Sequence, residues 1–248
     1  MADVVLVHLW GVHNEYPPLG LGYLAAIAIE EGLSAKIIDP TTDPSFSLEK
    51  FSKILQKENP KFVCFGLYTS YVIESFKMAK TARATMPNAI IIAGGPHANA
   101  TLSQTLKDCL EFDVLVHGEG EETFREIIQN KAFGEIKGIL FRKNGRIVKN
   151  PLRPFIQNLD SLPFPARQLF SKNYVYDVCF QEKPVANIVT SRGCPYACIF
   201  CSKETFGTVY RQRSVQSAVE EVREIIEVHK FKELFFFEDV FTMNKQWV

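Results

Sequence analysis

Cysteine is scarce, with 6 among 248 residues, too few for the disulfide scaffold of a small secreted domain. Neither sign of charge is in surplus: 28 Lys and Arg balance 28 Asp and Glu, so no basic field exists to hold a nucleic-acid backbone by bulk electrostatics. Long hydrophobic runs are missing as well. The start, Met1-Ala2-Asp3 and then an apolar run from Val4 to Trp10, lacks a basic n-region and is too short to span a bilayer. It reads as a buried strand, and no membrane partner is expected. No Ser-His-Asp set, Gly-x4-Gly-Lys-Ser/Thr loop or His-Glu-x-x-His pattern is present, which removes support for the hydrolase and P-loop classes. No 20–50-residue period marks a solenoid or propeller. What is present is ordinary: 46% hydrophobic and 23% charged residues, the balance of a soluble globular protein with a real core rather than a disordered chain. The length fits one large domain or two smaller ones.

From the start to about residue 130, short β-branched or aromatic runs alternate with longer amphipathic stretches, the signature of a parallel sheet flanked by helices. Strands are expected at Val4–Leu9, Ala35–Asp39, Phe62–Leu67, Ala89–Ala93 and Asp113–Val116, each short and apolar as doubly covered strands are. Helices are expected near residues 19–31, 47–57, 72–85, 99–110 and 120–129. Residues 138–148 read as two strands joined at Asn144-Gly145, the pair most favoured in a tight hairpin turn. The expected fold is therefore α/β, a Rossmann-like five-stranded parallel sheet closed by a hairpin, over residues 1–149.

Residues 150–185 hold five of the thirteen prolines without sustained periodicity and read as a linker between domains. The strand-helix-strand rhythm then restarts. Ala186–Thr190 reads as a strand, Ser214–Lys230 as a helix with Val215, Ala218, Val219, Val222, Ile225 and Ile226 on one face, and Glu233–Phe237 as a second strand. Phe235, Phe236 and Phe237 read as core of that strand. A closed α/β barrel needs on the order of 200 residues or more, so residues 186–248 are expected to be the first units of a truncated barrel.

Three of the six cysteines crowd into Ser191-Arg192-Gly193-Cys194-Pro195-Tyr196-Ala197-Cys198-Ile199-Phe200-Cys201, just after a predicted strand. Three thiolates on one short loop can converge on one metal centre in a reducing cytoplasm, the expected location. Soft thiolates favour an iron–sulfur cluster, zinc or cuprous copper. A structural zinc would need a fourth protein ligand, and the nearest candidates are Cys179 and His229. Three thiolates alone leave one iron of a cubane cluster free to bind a substrate or cofactor. Cys64, within a strand, and Cys109, on a helix, read as core. Arg192 and Lys203 flank the loop, either facing solvent or placed to act on the cluster's potential or on a bound carboxylate.

The C-x3-C-x2-C spacing, Phe200 before the last cysteine, and the position after a barrel's first strand resemble the radical S-adenosylmethionine (SAM) enzymes. The resemblance implies that Cys194, Cys198 and Cys201 hold a [4Fe-4S] cluster whose open iron binds SAM, with the backbone around Phe200 on the adenine. Reduction, by a partner such as flavodoxin or ferredoxin, would cleave SAM to a 5′-deoxyadenosyl radical. The Gly-Gly-Glu form common at the second strand is absent. Glu238, with Asp239, is the carboxylate that would meet the SAM amino group there, unless the pair merely opens a solvated loop.

Three further segments sit at expected strand ends: Pro17-Pro18-Leu19-Gly20-Leu21-Gly22-Tyr23-Leu24-Ala25-Ala26, Gly94-Gly95-Pro96-His97, and Gly118-Glu119-Gly120-Glu121-Glu122. Open α/β sheets bind ligands at such ends, although acids at a helix start also have a purely local explanation. Taken with the cysteine loop, these segments resemble cobalamin-dependent radical SAM proteins along the whole chain. The resemblance implies that cobalamin lies against Leu19, Gly20, Thr69, Ser70, Gly94, Gly95, Pro96, His97, Gly118 and Glu119. The Asp-x-His-x-x-Gly motif that ligates cobalt in many cobalamin proteins is missing. His8 and Gly11 have its spacing, but Leu6 replaces the Asp and His8 lies in the first strand; His13 is freer. The implied chemistry is methylation, cyclisation or another radical modification of an unactivated carbon in a small-molecule substrate. The alternatives are a non-catalytic corrinoid-binding module and a structural zinc site.

Overall fold

The protein is described from a computed structural model, over residues 1–8, 16–174 and 180–248. Leu9, Gly11, His13 and Cys179 lie outside the described residues. The chain opens with β1 (Val4–Val7), α1 (Leu19–Glu30), β2 (Ala35–Ile38), α2 (Leu48–Glu58), β3 (Phe62–Gly66), α3 (Val72–Thr85) and β4 (Ile90–Gly94). It continues through α4 (Pro96–Thr101), α5 (Ser103–Asp108), β5 (Val114–Val116), α6 (Glu121–Ile128) and the hairpin strands β6 (Ile139–Lys143) and β7 (Arg146–Lys149).

These strands form one seven-stranded sheet of order β2-β1-β3-β4-β5-β6-β7, the first five parallel and the last two antiparallel. Side chains alternate across each strand, so β1 sends Val5 and Val7 to one core and Val4 and Leu6 to the other. The first core packs Phe51, Leu55, Met78, Ala82 and Leu106 from α2, α3 and α5; the second packs Leu21, Ala25, Phe124 and Ile127 from α1 and α6. Cys64 and Cys109 are buried, one in each core.

The sheet has seven strands instead of the expected five parallel ones, because the closing hairpin adds its two strands to the same sheet: β6 pairs with β5. Asn144 and Gly145 take positive φ of 50° and 75°, the primed turn whose twist matches the flanking strands. The single helix expected near 99–110 is two. Pro96, suited to a first helical position, starts α4 early, and Leu102 at φ 49° breaks it before α5.

The proline-rich stretch after the hairpin has no long element, yet buries Leu159, Leu162, Ala166, Arg167, Phe170 and Tyr174. It leads to β8 (Val185–Ile188), β9 (Ser191–Arg192), β10 (Arg211–Gln212), α7 (Val215–Glu227) and β11 (Glu233–Phe236). β8 and β11 pair in parallel with α7 between them, and β9 and β10 form a separate antiparallel ribbon. Ser214 caps α7 by accepting from the Ser217 amide at 3.1 Å. On the expected apolar face Ala218 and Ile225 are buried, but Val215, Val219 and Ile226 are exposed. Phe235, Phe236 and Phe237 are likewise exposed by a third or more, not core as expected. The reason is common to both: β8 and β11 make a two-stranded sheet, too narrow to cover a full helix face or both sides of its edge strand.

Candidate functional site

In a sheet of this order the chain reverses direction between β1 and β3, and the carboxyl ends of the strands around that point form a crevice where ligands bind. The loops there carry the positions singled out in the sequence. Thr69 and Ser70 follow β3 and are exposed; Gly94 ends β4, with Gly95 and Pro96 after it; Gly118 and Glu119 follow β5; Leu19 and exposed Gly20 begin α1.

Backbone geometry explains Gly95, the first residue after β4. Gly95 has φ 93° and ψ −177°, a region essentially confined to glycine, and an added Cβ would lie 2.9 Å from the Leu67 backbone nitrogen. That close passage lets the Leu67 amide donate to the Gly94 carbonyl at 2.7 Å and the His97 amide donate to the Leu67 carbonyl at 3.0 Å. Gly95→Ala is therefore expected to lose about 1–3 kcal/mol of stability, read as a lower urea midpoint at unchanged slope.

His97 is buried, and its Nδ1 shares a hydrogen bond of 3.0 Å with Thr69 Oγ1. Burial holds its pKa below the ordinary 6.5, and does the same for His8 and His117. Depressed folded-state values mean the stabilising contribution is present above 6.5 and lost as pH falls through the folded values. Urea midpoints are expected to fall between pH 7.5 and 5.5; a midpoint that rises on acidification contradicts this.

The three cysteines lie on the long loop between β9 and β10. Gly193 turns the chain into it at φ 83°, where a Cβ would sit 2.2 Å from the Val209 carbonyl oxygen. The Cys201 amide donates to the Cys198 carbonyl at 3.1 Å, and Lys203 Nζ donates to the Cys194 carbonyl at 2.8 Å. All three are free thiols; Cys198 and Cys201 are exposed, as are Ile199 and Phe200. Among the described residues no three His, Cys, Asp or Glu side chains stand where they would together hold a metal ion, so the structure sets the thiols on one loop without converging them. Three soft donors, none in a disulfide, on one loop fit a thiolate-held centre.

His229 does not supply a fourth ligand. It follows α7, at the opposite end of the strand-helix unit from the cysteine loop, where the Lys232 amide bonds Pro184, and its Nε2 pairs with Glu224 at 3.1 Å.

Several charged groups are spent inside the protein. Glu238 accepts from Ser191 Oγ at 2.7 Å and from the amide and hydroxyl of Thr190, locking the end of β11 to the end of β8; Asp239 beside it stays exposed. Arg192 faces neither solvent nor the thiols. It is buried between the rings of Tyr23 and Phe206 and pairs with Glu121 at 2.6 Å and Glu119 at 3.1 Å. Glu119, expected against a cofactor, gives its carboxylate to Arg192, to Arg211 at 2.9 Å and to the Ile156 amide at 2.7 Å.

Sequence reasoning missed Asn99. Buried in α4, it accepts from the Gly118 amide at 2.8 Å and donates to Thr205 on the cysteine loop at 3.0 Å. No sequence signal marks it beyond its place two residues after the Gly-Gly-Pro-His segment.

Fold and site together define an α/β protein in which a doubly wound sheet of flavodoxin-like order presents its carboxyl rim to a cysteine-bearing loop. Residues 7–128 match the B12 binding domain family, and an uncharacterized methyltransferase of Pyrococcus horikoshii is 37% identical over 93% of this chain and 50% of its own length. Through residues 7–128 the chain belongs to the B12 binding domain family. An anaerobic magnesium-protoporphyrin IX monomethyl ester cyclase of Cereibacter sphaeroides is 29% identical over 88% of this chain and 36% of its own. The solved structure of the radical SAM methyltransferase TsrM from Kitasatospora setae, with cobalamin and a [4Fe-4S] cluster bound, shares the fold at a TM-score of 0.76 and 17% identity, over 100% of this chain and 49% of that one. The chain thus spans half the length, or less, of these relatives. No described helix is long and apolar enough to cross a membrane.

Proposed function

We propose that this chain is the cofactor-binding part of a cobalamin-dependent radical SAM enzyme that modifies an unactivated carbon of a small-molecule substrate, by methyl transfer or radical cyclisation. Residues 1–149 form the cobalamin-binding domain, 150–185 the connection, and 186–248 the cluster-bearing start of a barrel. One observation carries the reading: the loop with three free thiols is hydrogen-bonded through Thr205 to Asn99, which in turn holds Gly118 on the rim of the sheet.

When bound, the cluster and the corrinoid would supply reductive cleavage of SAM and a cobalt centre for methyl transfer, with electrons from a flavodoxin- or ferredoxin-like reductant. The protein's part is to hold and orient. Cys194, Cys198 and Cys201 are the cluster ligands. Lys203 fixes the first of them by its backbone carbonyl, and the exposed backbone around Phe200 is free to meet an adenine. With the Glu238 carboxylate already bonded to Thr190 and Ser191, exposed Asp239 is the carboxylate available for an ammonium group at that strand end. On the sheet, the Gly20, Thr69–Ser70, Gly94–Pro96 and Gly118 segments offer backbone and hydroxyl groups to a corrinoid.

Anaerobic reconstitution with iron, sulfide and hydroxocobalamin, followed by gel filtration and metal analysis, tests this. The protein is expected to retain iron, sulfide and the corrinoid absorption. Zinc without sulfide, or no retained corrinoid, would overturn the reading.

A further inference from the structure

β9 and β10 are only two residues each, and Arg192 stands directly opposite Arg211 in their register. Between them runs the whole of residues 193–210, with all three cysteines. Two cations in register repel, unless an anion lies between them. Glu119 is that anion: it pairs with Arg192 at 3.1 Å and Arg211 at 2.9 Å, its side chain 3% exposed and theirs 5% and 4%.

Glu119 does not belong to the ribbon. It stands in the loop that follows β5, on the rim of the first sheet, and is itself held by the Ile156 amide at 2.7 Å. Glu121 adds a second carboxylate to Arg192 at 2.6 Å. Arg211 in turn donates to the carbonyls of Ile156 at 2.7 Å and Phe206 at 3.0 Å, and covers the Phe155 ring at 4.9 Å. Arginine suits this place because its planar fork can bridge several acceptors at once. Ion pairs this buried strengthen as water is excluded, and removing one partner strands the others.

We infer that Glu119 is a positioning residue: by gripping Arg192 and Arg211 it clamps both ends of the cysteine loop to the rim of the corrinoid-binding sheet and so fixes the separation and orientation of the two cofactors. The inference rests on the proposed function above. It gives Glu119 a role toward the cluster loop rather than a direct contact with cobalamin.

The test loads the full protein with both cofactors and poises it where cob(II)alamin and the reduced cluster are both paramagnetic. Electron paramagnetic resonance then reads their magnetic interaction, while iron content and corrinoid absorption report loading. Wild type is expected to show a single, resolved interaction. Glu119→Gln is expected to bind both cofactors at wild-type stoichiometry and to lose that resolved interaction. Arg211→Lys, which keeps the charge but not the fork, carries the test if Glu119→Gln does not fold, with the same loss expected. Variants that load both cofactors and keep the wild-type interaction overturn the clamp. A variant that folds but binds no cluster overturns it too, since the role would then be ligation-dependent folding of the loop. Wild type failing to load either cofactor overturns the underlying functional reading, a result distinct from the other two.

Discussion

Replacing Glu221 by alanine is expected to lower folding stability by about 3–5 kcal/mol, enough to consume much of the margin of a domain this size. Glu221 lies on α7 with its side chain 1% exposed and holds two arginines that are equally hidden, Arg167 at 1% and Arg213 at 5%. Arg167 comes from the proline-rich stretch and donates at 2.6 Å; Arg213 comes from just before α7. Their other acceptors are neutral: the Asn187 carbonyl for Arg167, and the Val189 carbonyl with the Ser217 carbonyl and hydroxyl for Arg213. Without the carboxylate, two guanidinium groups stay buried with dipoles but no counter-charge, which is far more costly than losing a surface pair at about 0–1 kcal/mol. Urea denaturation measures this as a drop in midpoint with little change in slope. A loss below about 1 kcal/mol would mean that water reaches the arginines, and the account of this connection would be wrong.

The second large effect falls on chemistry instead of stability. Cys198→Ala is expected to abolish cluster retention and every activity that depends on it, while changing the stability of the cofactor-free protein by no more than about 0.5 kcal/mol. Cys198 is an exposed free thiol, so nothing in the packed core depends on it. A structural zinc site makes the opposite forecast, because such metals contribute folding energy outright. Loss of iron with an unchanged cofactor-free urea midpoint supports the cluster; unfolding together with zinc loss rejects it.

Much of the fold is legible because its strands are buried on both faces and so appear as short apolar runs, and because Asn144-Gly145 has few structures open to it other than a primed turn. The break at Leu102 is not legible, since a leucine at positive φ is imposed by what surrounds it rather than by its own preference. The thiols announce themselves by spacing. The clamp does not: Glu119 precedes α6 and Glu121 opens it, where acids need no further reason, and their arginines lie 71 to 92 residues away. The exposed Phe235–Phe237 stretch shows the converse limit. An apolar run tells that burial is favourable, not how much covering surface the neighbouring strands provide.

The central claim is that this chain brings a SAM-cleaving cluster to a corrinoid-binding sheet. It is tested most directly by reducing the reconstituted, cobalamin-loaded protein with SAM and separating the products by chromatography. The account predicts 5′-deoxyadenosine, with S-adenosylhomocysteine in addition if the reaction is methyl transfer, and neither product from Cys198→Ala. Intact SAM after reduction of protein shown to carry its iron, sulfide and cobalamin would contradict it.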